Sequence, residues 1–276
     1  MPSNSPPLDG IERAAALLKE ADGLLIAAGA GIGVDSGLPD FRGTSGFWRA
    51  YPALARRRLP FHEVACPDTF ASDPRLAWGF YGHRLDLYRR TRPHGGFAIL
   101  HAFGERMAHG SFVFTSNVDG QFQQAGFAED RIAECHGSIH HLQCTRPCCG
   151  ATWPADGFVP EVDAAQCLLT SALPLCPRCG ALARPNILMF GDGAWIGART
   201  EQQYRRLDAW RSRVGRLAVI ELGAGTAIPS VRRCAETQGV PVIRVNPREA
   251  EVADGVSLAM GALAAMQALA QATDLI

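Results

Sequence analysis

Two sets of residues have the types and spacing to do chemistry. The first is sulfur. Cys176-Pro177-Arg178-Cys179-Gly180 is a compact knuckle in which two thiols can face one ion and the glycine permits the turn. Upstream stand Cys144, Cys148 and Cys149. Cys144, Cys148, Cys176 and Cys179 together offer a tetrahedral shell of four thiolates, which suits zinc. A closed shell leaves no open position, so one structural rather than catalytic zinc is expected. Spacing alone does not choose between Cys148 and Cys149. Cys148 is preferred because a tight turn at Pro147 brings it nearer to Cys144. The plainer reading of these residues is unligated thiols. His140 and His141 lie close by and are expected outside the metal shell, since four thiols already suffice.

The second set is a glycine loop, Gly29-Ala30-Gly31-Ile32-Gly33, directly after the apolar run 24–28. Glycines there let the backbone approach a pyrophosphate, whose charge the amide groups can cradle. Alone the loop is weak evidence. The dinucleotide fingerprint wants its third glycine where Val34 stands, and no acidic strand end follows some 20 residues on.

The elements that must position these groups follow from hydrophobic patterning. Residues 24–28, 112–114, 217–220 and 241–245 are short apolar runs, as in strands buried on both faces of a parallel sheet. They end in glycine or polar residues: Gly29, Thr115-Ser116-Asn117, Gly223-Ala224-Gly225-Thr226 and Asn246. Ligands of open α/β sheets bind beyond the carboxyl ends of strands, so these four ends are the expected walls of one site. A helix precedes the first strand, with Asp9 and Glu12 spaced as a capping box. Residues 34–110 read as helical and loop-rich. Residues 138–184 trade apolar periodicity for cysteine, proline and histidine, and read as an inserted module. A further helix is expected from Asp73, as cap, and Pro74, as first residue, through Tyr88. It places Tyr81 and Arg84 on one face. Gly79 and Gly82 each cost that helix about 1 kcal/mol, which implies that room is needed beside them.

Bulk properties narrow the class. A chain of 276 residues with 47% hydrophobic content can build a sizeable core. Lys+Arg and Asp+Glu are 27 each, which gives no electrostatic reason to expect nucleic acid or an anionic membrane as partner. The run Arg56-Arg57-Arg58 reads as a solvated loop. Residues 1–7 lack a basic region followed by an apolar one, and no run approaches the ~20 apolar residues of a membrane span. A cytoplasmic protein is expected.

The run Gly29-Ala30-Gly31-Ile32-Gly33-Val34-Asp35-Ser36-Gly37-Leu38-Pro39-Asp40-Phe41-Arg42 resembles the NAD-binding signature of the sirtuins, with Gly33 where serine is usual. Other blocks follow in the family's order. Thr115-Ser116-Asn117-Val118-Asp119 resembles Thr-Gln-Asn-Ile-Asp, and Cys135-His136-Gly137-Ser138 resembles the His-Gly block. Arg184-Pro185-Asn186-Ile187-Leu188-Met189-Phe190-Gly191-Asp192 resembles the substrate strand, with aspartate for glutamate. Gly223 to Thr226 stand where the family has Gly-Thr-Ser, and Asn246 stands at the adenosine-binding asparagine. The resemblance covers residues 10 to 265.

The resemblance implies an α/β fold: a Rossmann-like parallel-sheet domain (8–47, 94–137 and 185–276) with a smaller zinc-binding and helical domain (48–93 and 138–184). It implies an NAD-dependent lysine deacylase acting on acyl-lysine proteins, with NAD consumed and nicotinamide and O-acyl-ADP-ribose released. His136 would be the base, and Asn117 and Asp119 would hold the nicotinamide end. Asp40 and Arg42 would organise the loop, and Phe41 would shield the reactive carbon. Gly29, Ala30, Gly31, Ile32, Ser116, Gly223, Ala224, Gly225 and Asn246 would line the cofactor. Ser116 replaces a glutamine that contacts the nicotinamide ribose, and the shorter side chain reaches that sugar only through water or a moved backbone. Phe190 and Gly191 would meet substrate. Phe80-Tyr81-x-x-Arg84 resembles the motif by which some sirtuins bind the distal carboxylate of succinyl or malonyl groups. Two competing readings remain: an NAD glycohydrolase or ADP-ribosyl transferase in the same pocket, and a zinc-ribbon module that senses NAD without turnover.

Overall fold

The computed structural model describes residues 8–39, 43–146 and 148–275. Eleven strands occur among them. In chain order they are β1 (Gly23–Ala28), β2 (Ser111–Thr115), β3 (Ile132–Glu134), β4 (Gly137–Cys144), β5 (Thr152–Pro154), β6 (Val162–Asp163), β7 (Leu168–Leu169), β8 (Ala183–Ile187), β9 (Leu217–Leu222), β10 (Val242–Val245) and β11 (Gly255–Leu258).

Six strands form a parallel sheet in the order β11-β10-β9-β1-β2-β3. The four apolar runs of the sequence are β1, β2, β9 and β10. Of the edge strands, β3 is too short to stand out as an apolar run, and β11 is interrupted by Gly255 and Ser257. Both faces of the sheet are covered. Leu24, Ile26 and Ala28 pack in one cluster with Leu18, Phe97 and Met266, while Leu25 and Ala27 point into the other with Trp210 and Val231. This two-residue alternation within one apolar run is what a doubly covered strand requires. The chain runs outward from β1 through β2 to β3, then crosses to β9 and continues to β11. The switch point therefore lies between β1 and β9, where such sheets open a crevice.

A second core is built by β4, β5 and β8, the β6–β7 hairpin and the helix Pro74–Arg90. Leu38, Phe47, Val118 and Ile187 pack with it, so it also draws on residues that flank the expected insertions. Asp73 caps the helix as expected, accepting from the Leu76 amide at 3.0 Å. The first helix, Leu8–Glu20, already contains Asp9. Asp9 thus lies inside its first turn, where its charge meets the helix dipole, rather than forming a capping box. Arg56 of the expected solvated run donates to the Ala165 carbonyl. Among the described residues, no helix is long and apolar enough to cross a membrane.

Candidate active site and metal centre

The glycine loop leaves β1 and turns into a short 3-10 helix, Ala30–Ser36. It interlocks with the loop after β9. Gly29 N donates to Leu222 O at 2.9 Å and Gly31 N to Gly223 O at 3.0 Å. A Cβ on Gly29 would lie 2.7 Å from the Ala224 Cα. One on Gly223, whose φ is +62°, would lie 2.4 Å from the Gly31 carbonyl carbon. Both positions need glycine because two backbones touch there. Asn246 is fully buried, donating to Ala224 O at 2.9 Å and accepting from the Arg248 and Glu249 amides. Arg232 donates to the same Ala224 carbonyl at 3.0 Å. His94 supports the glycine loop from the other side. Its Nδ1 accepts from Gly96 N, so Nε2 carries the proton and donates to Ile32 O at 2.9 Å.

The end of β2 supplies the next wall. The Thr115 hydroxyl donates to Ala28 O and accepts from Asn117 N, and Asn117 Nδ2 reaches across to Gly29 O at 3.1 Å. Asn117 thereby ties the two loops together from a buried position. Asp119 is buried too, its Oδ1 accepting from Gln121 N at 2.9 Å. Burial pushes its carboxyl up to about 6, with the Gln121 amide working against the shift. His136 follows β3 and is half-buried. Burial lowers its imidazole below the ordinary range, opposed by a hydrogen bond to the backbone of Ser116. His140 donates through Nε2 to the Asp119 carbonyl at 2.9 Å, so it braces this segment.

Strand β8 leads past His136, whose carbonyl accepts from Leu188 N at 2.9 Å. Beyond it Arg184 and Asp192 form a buried two-point ion pair at 2.7 and 2.8 Å, which pins the turn at Gly191 (φ +67°). Phe190 is left 41% exposed, with its ring edge against Phe61. Tyr81 and Arg84 share the interior side of the helix Pro74–Arg90. Tyr81 is stacked on Phe70, and Arg84 donates to the Tyr88 hydroxyl through Nε at 2.9 Å and Nη2 at 2.7 Å. The glycines of this helix have another reason than a ligand. A Cβ on Gly79 would sit 2.0 Å from the Cys167 carbonyl oxygen and one on Gly82 2.8 Å from Pro160, so the room beside them admits the segment 160–168.

The sulfurs that gather are those of Cys144, Cys148, Cys176 and Cys179, all within 4.8 Å of one another. The measured Sγ···Sγ separations, 3.6 Å for Cys144–Cys179 and 3.7 Å for Cys148–Cys176, match the roughly 3.8 Å edge of a tetrahedron with ~2.3 Å zinc–sulfur bonds. The donor set therefore fits a structural zinc ion. Cys149 stays outside, 3.6 Å from the Cys148 sulfur.

The expected residues Gly29, Ala30, Gly31, Ile32, Ser116, Asn117, Asp119, His136, Gly223, Ala224, Gly225 and Asn246 thus lie on the loops and strand ends at one edge of the parallel sheet. Asp40, Phe41 and Arg42 lie outside the described residues. His94 and Arg232 carry no mark in the sequence: His94 reaches Ile32 from 62 residues away, and Arg232 reaches Ala224 and Glu249 without any motif spacing. Sequence reading missed both, and also missed Glu134, one residue before the Cys135-His136 block.

A model of the Sir2 family matches residues 29–209 of this chain. The NAD-dependent protein deacylase 2 of Pyrobaculum aerophilum is 33% identical over 240 residues, covering 83% of this chain and 82% of the relative. The chain belongs to the Sir2 family. An NAD-dependent protein deacylase of Thermus thermophilus is 31% identical over 247 residues, covering 87% of this chain and 85% of its own. Among solved structures, a Sir2 homologue in complex with NAD aligns over 96% of this chain and 93% of its own, with a TM-score of 0.72 at 24% identity. A Sir2 structure with a deacetylated p53 peptide and 3'-O-acetyl ADP ribose covers 93% of this chain and 96% of its own, with a TM-score of 0.66 at 22% identity. These two show a shared fold. The Sir2-family match opens on the glycine loop and closes inside the helix Ala198–Arg211, so it spans the loops after β1 and β2, His136 and all four clustered cysteines.

Proposed function

We propose that this Sir2-family chain is an NAD-dependent protein lysine deacylase that favours acidic acyl groups such as succinyl or malonyl. The observation that carries the reading is the meeting of four segments at the carboxyl ends of β1, β2, β3 and β9: the interlocked glycine loops, Asn117, Asp119 and His136. Small residues rim this crevice. Ala30, Gly31, Ser116 and Gly225 put no long side chain over it, which suits close backbone approach by a dinucleotide. NAD is the consumed co-substrate and supplies an electrophilic ribose carbon as nicotinamide leaves.

The roles of the side chains follow from their states. His136 has a lowered pKa, so its neutral form dominates at pH 7 and can accept a ribose hydroxyl proton. Asn117, fixed by Gly29 O and Thr115, has no freedom to drift and holds the nicotinamide end together with Asp119. By the family resemblance Asp40 and Arg42 would organise the loop and Phe41 would shield the reactive carbon from water. Phe190 and Gly191 present the peptide side. Four of the nine cysteines gather as a metal donor set rather than as disulfide pairs, which supports a reducing, cytoplasmic setting.

The acyl preference rests on Arg84. Its guanidinium is buried among the rings of Phe80, Tyr81 and Tyr88, at 5.2, 5.9 and 5.3 Å from their centroids. A carboxylate that reaches a buried cation gains a charge-assisted hydrogen bond of roughly 1.5–3 kcal/mol, or about ten- to over a hundred-fold in kcat/KM. Incubation with NAD and a panel of acyl-peptides tests the reading, with His136→Ala as the blank. Deacylated peptide, nicotinamide and O-acyl-ADP-ribose should form in equal amounts, with succinyl at least ten-fold ahead of acetyl. Arg84→Met should erase that lead and spare acetyl turnover. Equal rates on succinyl and acetyl peptides in the wild type refute the preference. Free ADP-ribose without deacylated peptide would make the chain a glycohydrolase.

A further inference from the structure

Glu134 is a carboxylate with 1% exposure at the end of the strand that delivers His136. A carboxylate removed from water is costly unless its oxygens are fully engaged. Both are. Oε2 accepts from Arg199 Nη1 and from Gln203 Nε2 at 3.3 Å, and Oε1 accepts from Gln123 Nε2 at 3.2 Å. The backbone is gripped as well. Glu134 N donates to Gln203 Oε1 at 3.1 Å, and its carbonyl accepts from the Thr200 hydroxyl at 3.0 Å. Helix Ala198–Arg211 thus holds the end of β3 through the carboxylate and both peptide groups.

Gln123 carries the tie in another direction. It belongs to the short helix Gln121–Gln124, whose first amide donates to Asp119 Oδ1. One carboxylate therefore connects the segment that presents Asp119 to the segment that presents His136, and anchors both to a third element. We propose that Glu134, with Arg199 as its counter-ion, is a positioning residue that sets Asp119 and His136 relative to each other. The proposal rests on the deacylase reading for its kinetic consequence. Its structural consequence is independent of that reading.

Glu134 also acts through its charge. The groups facing Asp119 are Arg84 and Tyr88 from the helix Pro74–Arg90, Glu134 from β3, and His140 on its carbonyl from β4. Burial raises the Asp119 carboxyl most, Glu134 raises it further and Arg84 lowers it. Removing the Glu134 charge must therefore shift Asp119 downward.

The test uses the full chain with NAD and its preferred acyl-peptide. Misplacement of catalytic groups by about 1 Å can cost on the order of a hundred-fold. Arg199→Met should lower kcat about ten-fold or more with KM for both substrates within two-fold, and Arg199→Lys should recover most of the loss. Glu134→Gln should move the titration of the Asp119 carboxyl, followed by NMR, to lower pH. Hydrogen exchange supplies the readout without substrate: Arg199→Met should speed exchange both at residues 121–124 and at 135–137, leaving β1 unchanged. Gln123→Ala, at a half-buried position on a short helix, should loosen residues 121–124 alone and keeps the idea testable if Arg199→Met does not fold. Unchanged kcat in Arg199→Met, or loosening confined to helix Ala198–Arg211, overturns the proposal. A wild type that never consumes NAD overturns the deacylase reading instead, and the exchange experiment still decides the tie.

Discussion

Asp119 carries the least comfortable charge of the site. Its carboxyl titrates near 6 in the fold against ~3.9 in an unfolded chain, because burial penalises the anion. Below about pH 4 both states are protonated and nothing is lost. Between the two values the unfolded chain ionises first, so stability falls as pH rises, and above 6 the penalty is complete at on the order of 3 kcal/mol. Asparagine keeps an acceptor for the Gln121 amide and carries no charge. Asp119→Asn should therefore melt a few degrees higher than wild type at pH 7.5, show no such gain at pH 4, and lose turnover. A lower melting temperature at pH 7.5 would contradict this account. Residues of this kind were partly legible. Asn117 and Asp119 end an apolar run, a signal any α/β sequence displays. Glu134 also sits beside a short apolar stretch, but its partners Gln123, Arg199 and Gln203 lie up to 69 residues away and share no spacing with it.

At the scale of elements, the helix Pro74–Arg90 shows how one sequence feature can have a reason its own segment does not contain. Gly79 and Gly82 weaken the helix, and the expected cause was space beside Tyr81 and Arg84. The space is filled by the segment 160–168. Arg75 reaches Leu169 O at 2.8 Å and Arg89 reaches Phe158 O and Ala155 O at 2.7 and 2.8 Å, so the segment is strapped to the helix through carbonyls that flank it on both sides. Gly79→Ala gains about 1 kcal/mol of helix propensity but drives a methyl into the Cys167 carbonyl oxygen. Overpacking of this kind costs about 1–3 kcal/mol, so the variant should unfold at lower denaturant concentration. A midpoint at or above that of wild type would mean the strap moves freely.

Across the whole molecule, two cores divide the work. The parallel sheet is covered by apolar clusters on both faces, while the end of β4 and the loops before β5 and β8 bring four sulfurs together. Zinc bound there contributes its binding free energy to folding. Metal analysis should find one zinc per chain in the wild type and none in Cys176→Ser. Hydrogen exchange should then rise throughout β4, β5 and β8 while β1 and β9 remain protected. Zinc-free protein with unchanged protection in those strands would show that the second core holds itself. Cys148→Ser should lose zinc in the same way, and Cys149→Ser should retain it.

The sequence by itself determined the parallel sheet and the direction in which its site opens. Apolar runs that end in glycine or asparagine can be buried on both faces and still need polar ends, and that requirement is local. It also pointed to a gathering of sulfur, because Cys176 and Cys179, three residues apart around a tight turn, can face one ion. Tertiary structure decided what depends on distance through space. It chose Cys148 over Cys149, since the path from Cys144 sets which of two neighbouring sulfurs points inward. It decided that Gly79 faces a carbonyl oxygen rather than a ligand. It placed Glu134 between Asp119 and His136, because a buried charge is satisfied by whichever donors the fold brings, and their positions in the chain carry no trace of that meeting.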